Sequence, residues 1–323
     1  MIDQPSVEVF VFSYQREAYL VECLQSIVSQ SYDNMKLVVL DNASDFDVFA
    51  TVKQAGLEDS LEVVRQDKNV GYVGQFSYVQ NNMSAEYVIL FHDDDTMPPN
   101  MVELLVGAHE SGEKLSWVGT NYNLIYDDFL MSAYNTQDLK ALEIYGDDIE
   151  LVNESFRLNK RSGFSSMMYR GRYLKKISLP EITHTTGDVA LKIELARLAP
   201  CAIAYSIFYN VRVHSGQDSY SMSPPFDDDI FLFEIYCSTN KSVQKIRYKM
   251  FPYMWIMHRY FVNKHRINYL TFLRYLLKKS VARGVVALVL SPYFMFRVGS
   301  RGVVNKIKKH RCRVLKHKET KVA

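Results

Sequence analysis

Tyr87-Val88-Ile89-Leu90-Phe91-His92-Asp93-Asp94-Asp95 places an unbroken apolar run directly before a histidine and three acids. A run of this length, β-branched and aromatic in part, predicts a strand buried on both faces. Three adjacent carboxylates at its end repel one another and cost stability unless something compensates them. A divalent cation would do so, and oxygen ligands suit Mg²⁺ or Mn²⁺, which would in turn neutralise a diphosphate. The competing reading is a solvated acidic turn.

The segments upstream repeat the same alternation. Val7 to Phe12, Leu37 to Leu40 and Leu61 to Arg65 read as strands. Ala18 to Gln30, Val48 to Gly56 and Val73 to Met83 read as helices. Asn100 to His109 follows as a helix and Ser116 to Thr120 as a strand. Short strands alternating with helical periods predict an α/β fold, with a Rossmann-like, mostly parallel sheet covered by helices on both faces. In such sheets ligands sit beyond the carboxyl ends of the strands, so the polar residues just past those ends are the candidates.

After the first strand comes Ser13-Tyr14-Gln15-Arg16-Glu17, with no glycine-rich turn through which backbone amides could approach a pyrophosphate. A nicotinamide-type oxidoreductase is therefore disfavoured. The second strand ends in Asp41-Asn42-Ala43-Ser44-Asp45, where a carboxylate could accept a hydrogen bond from a nucleobase. These residue types also favour a helix N-cap or an Asx turn, and that reading competes. Farther on, Thr186-Gly187-Asp188 opens a helix over Val189 to Leu198, where an acid could simply complement the helix dipole. Ala202 to Val213 reads as a strand and runs into Arg212 and His214, either of which could meet phosphate or metal.

Composition bounds the rest. The 323 residues suffice for one large or two modest domains, and 48% hydrophobic content supports a packed core. The net charge of +2 conceals a division: residues 241–323 carry 21 Lys/Arg and one acid, Glu319, while the first 240 carry 17 Lys/Arg and 35 acids. Four well-separated cysteines without a C-x-x-C pair support neither a zinc site nor a disulfide framework, and suggest a reducing compartment. The N-terminus has no signal-peptide pattern. The longest uncharged apolar run, Gly284 to Phe296, has 13 residues, short of the roughly 20 a spanning helix needs.

The runs FSYQREAYLVECLQSIVSQSY, LVVLDNAS, KNVGYVGQFSYVQ and YVILFHDDDTMPPNMVELL, taken in this order, resemble family 2 of the glycosyltransferases. FSSMMYRGRYLKKI, TGDVALKIELA and VRVHSGQDS fit the same family's acceptor and catalytic half, so the resemblance covers about residues 6–220. It implies a GT-A fold and inverting transfer from a nucleotide-sugar donor, commonly a UDP-sugar. It also implies Mn²⁺ or Mg²⁺ as cofactor. Carried over by position, Ser13, Tyr14 and Glu17 would line the nucleotide site and Asp41 would hold the base. Asp93 and Asp95 would bind the metal with His214 close by. Asp94 would lie at the donor, or share the metal if the alignment slides by one residue. Arg212 would meet the donor phosphates, and Asp188 would be the general base. Two departures stand out. Phe12-Ser13-Tyr14-Gln15 replaces the family's frequent Pro-Thr-Tyr-Asn, and Gly187-Asp188 replaces its frequent Glu-Asp.

The expected organisation is a GT-A domain over residues 1–229, split near residue 120 into nucleotide-binding and acceptor halves. A helical, basic region over 230–323 would dock on an anionic membrane surface, bringing the enzyme to a glycan or lipid-linked acceptor at the inner face of the cell membrane. The pathway implied is surface polysaccharide assembly, such as O-antigen or capsule. Two other readings compete. A non-catalytic sugar-nucleotide-binding module would have lost its acids, yet Asp93, Asp95 and Asp188 are present. A nucleic-acid-binding protein would use the basic, aromatic tail, but the acidic body would repel a phosphate backbone. No nucleic-acid partner is therefore expected.

Overall fold

The computed structural model describes residues 4–112, 114–126, 129–132, 142–148, 151, 164–179 and 187–214. The chain divides between Met222 and Ser223 into two units. The second unit, with the helical segments expected over 248–260, 269–279 and 284–296, lies outside the described residues, as does the 215–218 loop.

Among the described residues, the first unit holds a nine-stranded sheet flanked by helices. Its elements run β1 (Val7–Ser13), α1 (Glu17–Val28), β2 (Met35–Asp41), α2 (Val48–Gln54), β3 (Glu62–Arg65), α3 (Gly71–Asn82), β4 (Tyr87–His92) and α4 (Met101–His109). There follow β5 (Trp117–Tyr126), β6 (Phe129–Ser132), β7 (Glu143–Tyr145), β8 (Met167–Arg170), α5 (Gly171–Leu174), α6 (Gly187–Leu198) and β9 (Cys201–Arg212). The order across the sheet is β3-β2-β1-β4-β8-β5-β9-β7, with β6 paired to β5. β3, β2, β1 and β4 run parallel to one another, and β5 and β9 are parallel to each other. β8 is antiparallel to both β4 and β5, so β5 and β9 point the same way as the first four strands.

Every side chain of β1 is buried between β2 and β4, apolar except for Ser13 at its end and Glu8, whose carboxylate accepts the Ser84 and Ala85 amides at 3.0 and 3.4 Å. One face packs Val9, Val11, Ile89 and Phe91 against Leu20, Leu24 and Ile27 of α1 and Leu105 of α4. The other packs Phe10, Phe12, Leu40 and Leu90 against Phe76 and Val79 of α3 and Leu191 and Leu195 of α6. Such two-sided burial is what the apolar runs predict.

β5 is twice as long as expected. Beyond Thr120 its register against β9 shifts, and it continues through Asn121–Tyr126 to turn back as β6. β6, β7 and β8 were not foreseen. Each is three or four residues long, too short for an alternating pattern to register.

Candidate active site

Parallel pairing aligns the strand ends. Ser13 is the register partner of Asp41, and Phe12 that of His92, so β1, β2 and β4 deliver Ser13, Asp41 and His92–Asp95 to one edge of the sheet. The loops after β1 and β2 each turn through a left-handed residue that is not glycine, Gln15 at φ 59° and Ala43 at φ 61°. Such conformations are strained and persist where surrounding contacts fix them. Here the Gln15 amide donates to Ser44 Oγ at 3.2 Å, and the Asp45 amide to Gln15 Oε1 at 3.3 Å, lacing the two loops together.

Asp41 is fully buried. Its Oδ1 accepts the Ser44 amide at 2.9 Å, the Asx-type contact that its residue type favours, and its Oδ2 accepts from Arg65 Nη1 at 2.6 Å. Asn42 extends this edge, with its Nδ2 donating to Asn69 Oδ1 at 2.9 Å and its Oδ1 accepting the Val70 amide at 2.8 Å. Ser13 is buried, with its Oγ in no hydrogen bond among the described residues. A buried hydroxyl without a partner is unfavourable and marks a place where a ligand group can supply the missing bond. Tyr14 and Glu17 are exposed beside it.

The three acids after β4 are all buried, and each has its own set of neighbours. Asp93 accepts the Tyr14 amide at 2.9 Å and Arg16 Nη1 at 2.9 Å. Asp94 accepts from His214 Nε2 at 2.9 Å, with Arg16 Nε at 3.5 Å and His92 Nδ1 at 4.0 Å. Asp95 Oδ1 accepts the Arg212 amide at 3.2 Å. Burial pushes the Asp93 carboxyl up to about 6 against the pull of Arg16. Burial, followed by repulsion from Asp94, pushes Asp95 up to about 8. For Asp94 burial acts upward too, but His92, Arg16 and His214 outweigh it and hold the carboxyl below its usual range.

His92, Asp94 and Asp95 each offer one ligand atom within 4.8 Å of the others. One imidazole and two hard carboxylates fit Mn²⁺ or Mg²⁺, and a cation there would relieve the repulsion that raises Asp95. The geometry thus groups Asp94 and Asp95 with His92, while Asp93 turns to Arg16 and His214 touches the group through Asp94. Arg212, also buried, donates from Nε to the Asp94 carbonyl at 3.1 Å, pairs with Glu22, and lies 5.0 Å from the Tyr19 ring centroid. The Tyr19 ring also packs on His214 at 4.7 Å.

Asp188 sits in the first turn of α6, its Oδ2 3.2 Å from Lys192 Nζ one turn along. Aromatic rings lead from the acids towards it. His92 lies 4.3 Å from Phe164, Phe164 lies 5.6 Å from Tyr72, and Tyr72 packs directly over Gly187. Tyr209 of β9, its phenol raised chiefly by burial, also feels the charges of Asp95 and Asp188.

Four participants escaped the sequence reading: Arg16, Arg65, Glu22 and Ser165, whose Oγ accepts the His92 amide at 3.0 Å. Arg16 and Glu22 fall where charges normally mark a solvated helix face. Ser165 precedes a strand too short to foresee. His92 belongs to the same run as the three acids, and only the fold shows its ring beside Asp94 and Asp95.

A mixed sheet in this order, with an acidic cluster past its fourth strand and a second acid at a helix start, has the architecture of GT-A transferases. Residues 8–174, just over half of the chain, match the family described as Glycosyl transferase family 2, and the chain belongs to that family. An uncharacterized glycosyltransferase of Haemophilus influenzae is 24% identical over 149 residues, 45% of this chain and 46% of the relative. Glycosyltransferase GlyA of Streptococcus pneumoniae serotype 4 is 23% identical over 189 residues, 58% of this chain and 27% of the relative. The chain spans less than half the length of these relatives. Among solved structures, S. aureus TarS 1-349 in complex with UDP-GlcNAc shares the fold. Its TM-score is 0.61 at 14% identity, with 84% of this chain and 78% of that one covered. No described helix is long and apolar enough to cross a membrane.

Proposed function

We propose that the chain is an inverting glycosyltransferase that moves a sugar from a nucleoside diphosphate donor, a UDP-sugar, to a hydroxyl of a glycan or lipid-linked saccharide. The observation that carries this reading is the alignment of Ser13, Asp41 and His92–Asp95 at the carboxyl ends of β1, β2 and β4 in a family 2 chain. The binding of UDP-GlcNAc by S. aureus TarS, which shares the fold, favours uridine as the donor base.

In this reading Asp41 takes the base, with Arg65 and Ser44 fixing its carboxylate. Ser13, Tyr14 and Glu17 line the nucleotide, and the orphaned Ser13 hydroxyl supplies a hydrogen bond. His92, Asp94 and Asp95 hold Mn²⁺ or Mg²⁺, which when bound supplies positive charge for the departing diphosphate. Arg212, braced by Glu22 and the Asp94 carbonyl, adds positive charge beside the same group, and His214 orients Asp94. Asp188 accepts the proton of the acceptor hydroxyl as that oxygen attacks the sugar from the face opposite the diphosphate. Lys192, bound to one oxygen of Asp188, orients the carboxylate. Asp188→Asn should keep UDP binding and lose about 10² or more in turnover. Turnover close to wild type would remove Asp188 from this role.

The basic residues 241–323 would hold the protein at the anionic inner face of the cell membrane, where surface-polysaccharide acceptors such as those of O-antigen or capsule are built. Each Lys or Arg near such a surface contributes about 1 kcal/mol, so a few contacts suffice for reversible docking. Sedimentation with vesicles containing anionic lipid at low and high salt tests this. Protein that stays in the supernatant at low salt contradicts it.

A further inference from the structure

Tyr72 stands in the second position of α3, and its ring occupies the space where any side chain at position 187 would have to go. A Cβ built on Gly187 would lie 2.3 Å from Cε1 of Tyr72 and 2.6 Å from Cδ1, so the ring edge rests on the backbone that opens α6. Phe12, Phe76 and Phe164 hold the ring from other sides, with centroids 6.1, 6.2 and 5.6 Å away. The hydroxyl follows Cε1 around the ring and therefore lies beside the first turn of α6, which carries Asp188. It is buried and, among the described residues, makes no hydrogen bond. Ordinary cores place phenylalanine in such a setting, since a sealed phenol without a partner is unfavourable.

Position in the fold says what could satisfy it. Asn69, just before α3, is tied to Asn42 next to Asp41, so one flank of Tyr72 is the nucleotide edge. The other flank is α6 with Asp188. In inverting transfer the acceptor oxygen beside Asp188 attacks the anomeric carbon from the face opposite the diphosphate, so the donor's sugar ring must lie between these two flanks. We propose that Tyr72 is a specificity-determining residue whose hydroxyl donates a hydrogen bond to a hydroxyl of the donor sugar, and that glycine at 187 is what leaves room for it. Burial, with a smaller contribution from Asp188, raises the phenol well above its usual range and keeps it protonated for this purpose. The inference rests on the reading of the chain as a nucleotide-sugar transferase.

The test is calorimetric titration of the full chain and its variants, in Mn²⁺, with UDP and with UDP-glucose, UDP-galactose and UDP-GlcNAc. Tyr72→Phe keeps the ring packing and removes only the hydroxyl, so its melting temperature should be unchanged or raised. Its UDP affinity should stay within twofold of wild type, while affinity for the preferred UDP-sugar falls about five- to twentyfold. Gly187→Ala, which must displace the ring, should give the same sugar-specific loss, and the double variant should lose no more than either. Tyr72→Phe that binds every UDP-sugar like the wild type overturns the proposal, as does a loss shared equally by UDP. Wild-type protein that binds none of these nucleotides overturns the transferase reading itself, and the inference with it.

Discussion

The guanidinium of Arg16 is the counter-charge of Asp93, with Nη1 2.9 Å from Oδ1 and side-chain exposures of 11% and 0%. The same guanidinium reaches Asp94 through Nε at 3.5 Å. One cation, delivered from the loop after β1, thus sits against two of the three acids that close β4. Removing one partner of a buried pair leaves the other charge uncompensated. Arg16→Ala should lower stability by on the order of 3 kcal/mol in denaturant titration, and saturating Mn²⁺ should restore a larger part of the melting temperature than it adds to wild type. Unchanged stability would show that the pair carries no weight.

The geometry and the family pattern differ on which acids meet the metal, and isosteric variants separate them. Asp95→Asn should abolish the thermal shift produced by Mn²⁺ and abolish turnover. The fold should persist, because the change relieves repulsion from Asp94. Asp93→Asn, in contrast, should retain most of the Mn²⁺ shift, since Asp93 is engaged by Arg16 and the Tyr14 amide. Loss of the shift in Asp93→Asn with retention in Asp94→Asn would return the assignment to Asp93.

Asp41 has a structural role whatever it binds, because both of its oxygens already accept hydrogen bonds. Asp41→Asn should weaken UDP binding tenfold or more while Mn²⁺ binding changes little, measured by titration calorimetry. Arg65→Lys, which loses the geometry that reaches Asp41 and the Ser44 carbonyl together, should give a smaller loss in the same direction. Equal wild-type affinity for guanosine and uridine diphosphates would remove Asp41 from base recognition.

His109 offers a pH test away from the site. It is buried against Tyr87, its Nε2 donates to the Met168 carbonyl at 3.0 Å, and its Nδ1 has no partner among the described residues. Burial lowers its pKa from 6.5 to about 3. The folded state therefore resists protonation that the unfolded chain accepts, so stability is full above about pH 6.5 and falls as pH drops from there towards 3. Linkage puts this loss on the order of 3–5 kcal/mol. His109→Gln should flatten that part of the stability–pH profile in urea titrations. An unchanged slope would assign the acid sensitivity to other groups.

Strands β1, β2 and β4 were legible because burial on both faces leaves apolar residues, Glu8 and Lys36 apart, until the strand ends, where Ser13, Asp41 and His92 begin the polar edge. The register that aligns these ends is a property of pairing, and no single segment contains it. The antiparallel β8 was hidden for a different reason. Met167–Arg170 is four residues long, buried at every position, and wedged between β4 and β5, so it has neither length nor alternation to announce it. With it went Ser165, which acts only because β8 brings it to the His92 amide. The acids themselves were visible as a motif, but their division of labour was not. Which carboxylate faces Arg16 and which faces His92 depends on backbone turns after β4 that sequence spacing does not encode. The departure at Gly187 was visible as an oddity, and its cause, the ring of Tyr72, lies 115 positions away in sequence.

The most direct measurement of the central claim is nucleotide release by the full chain incubated with UDP-, GDP-, dTDP- and CMP-linked sugars in Mn²⁺. UDP should be released from at least one UDP-sugar, release should stop on adding EDTA and return with Mn²⁺ or Mg²⁺, and Asp188→Asn should suppress it while still binding UDP. Release confined to another nucleotide, or undiminished in EDTA, would contradict the account.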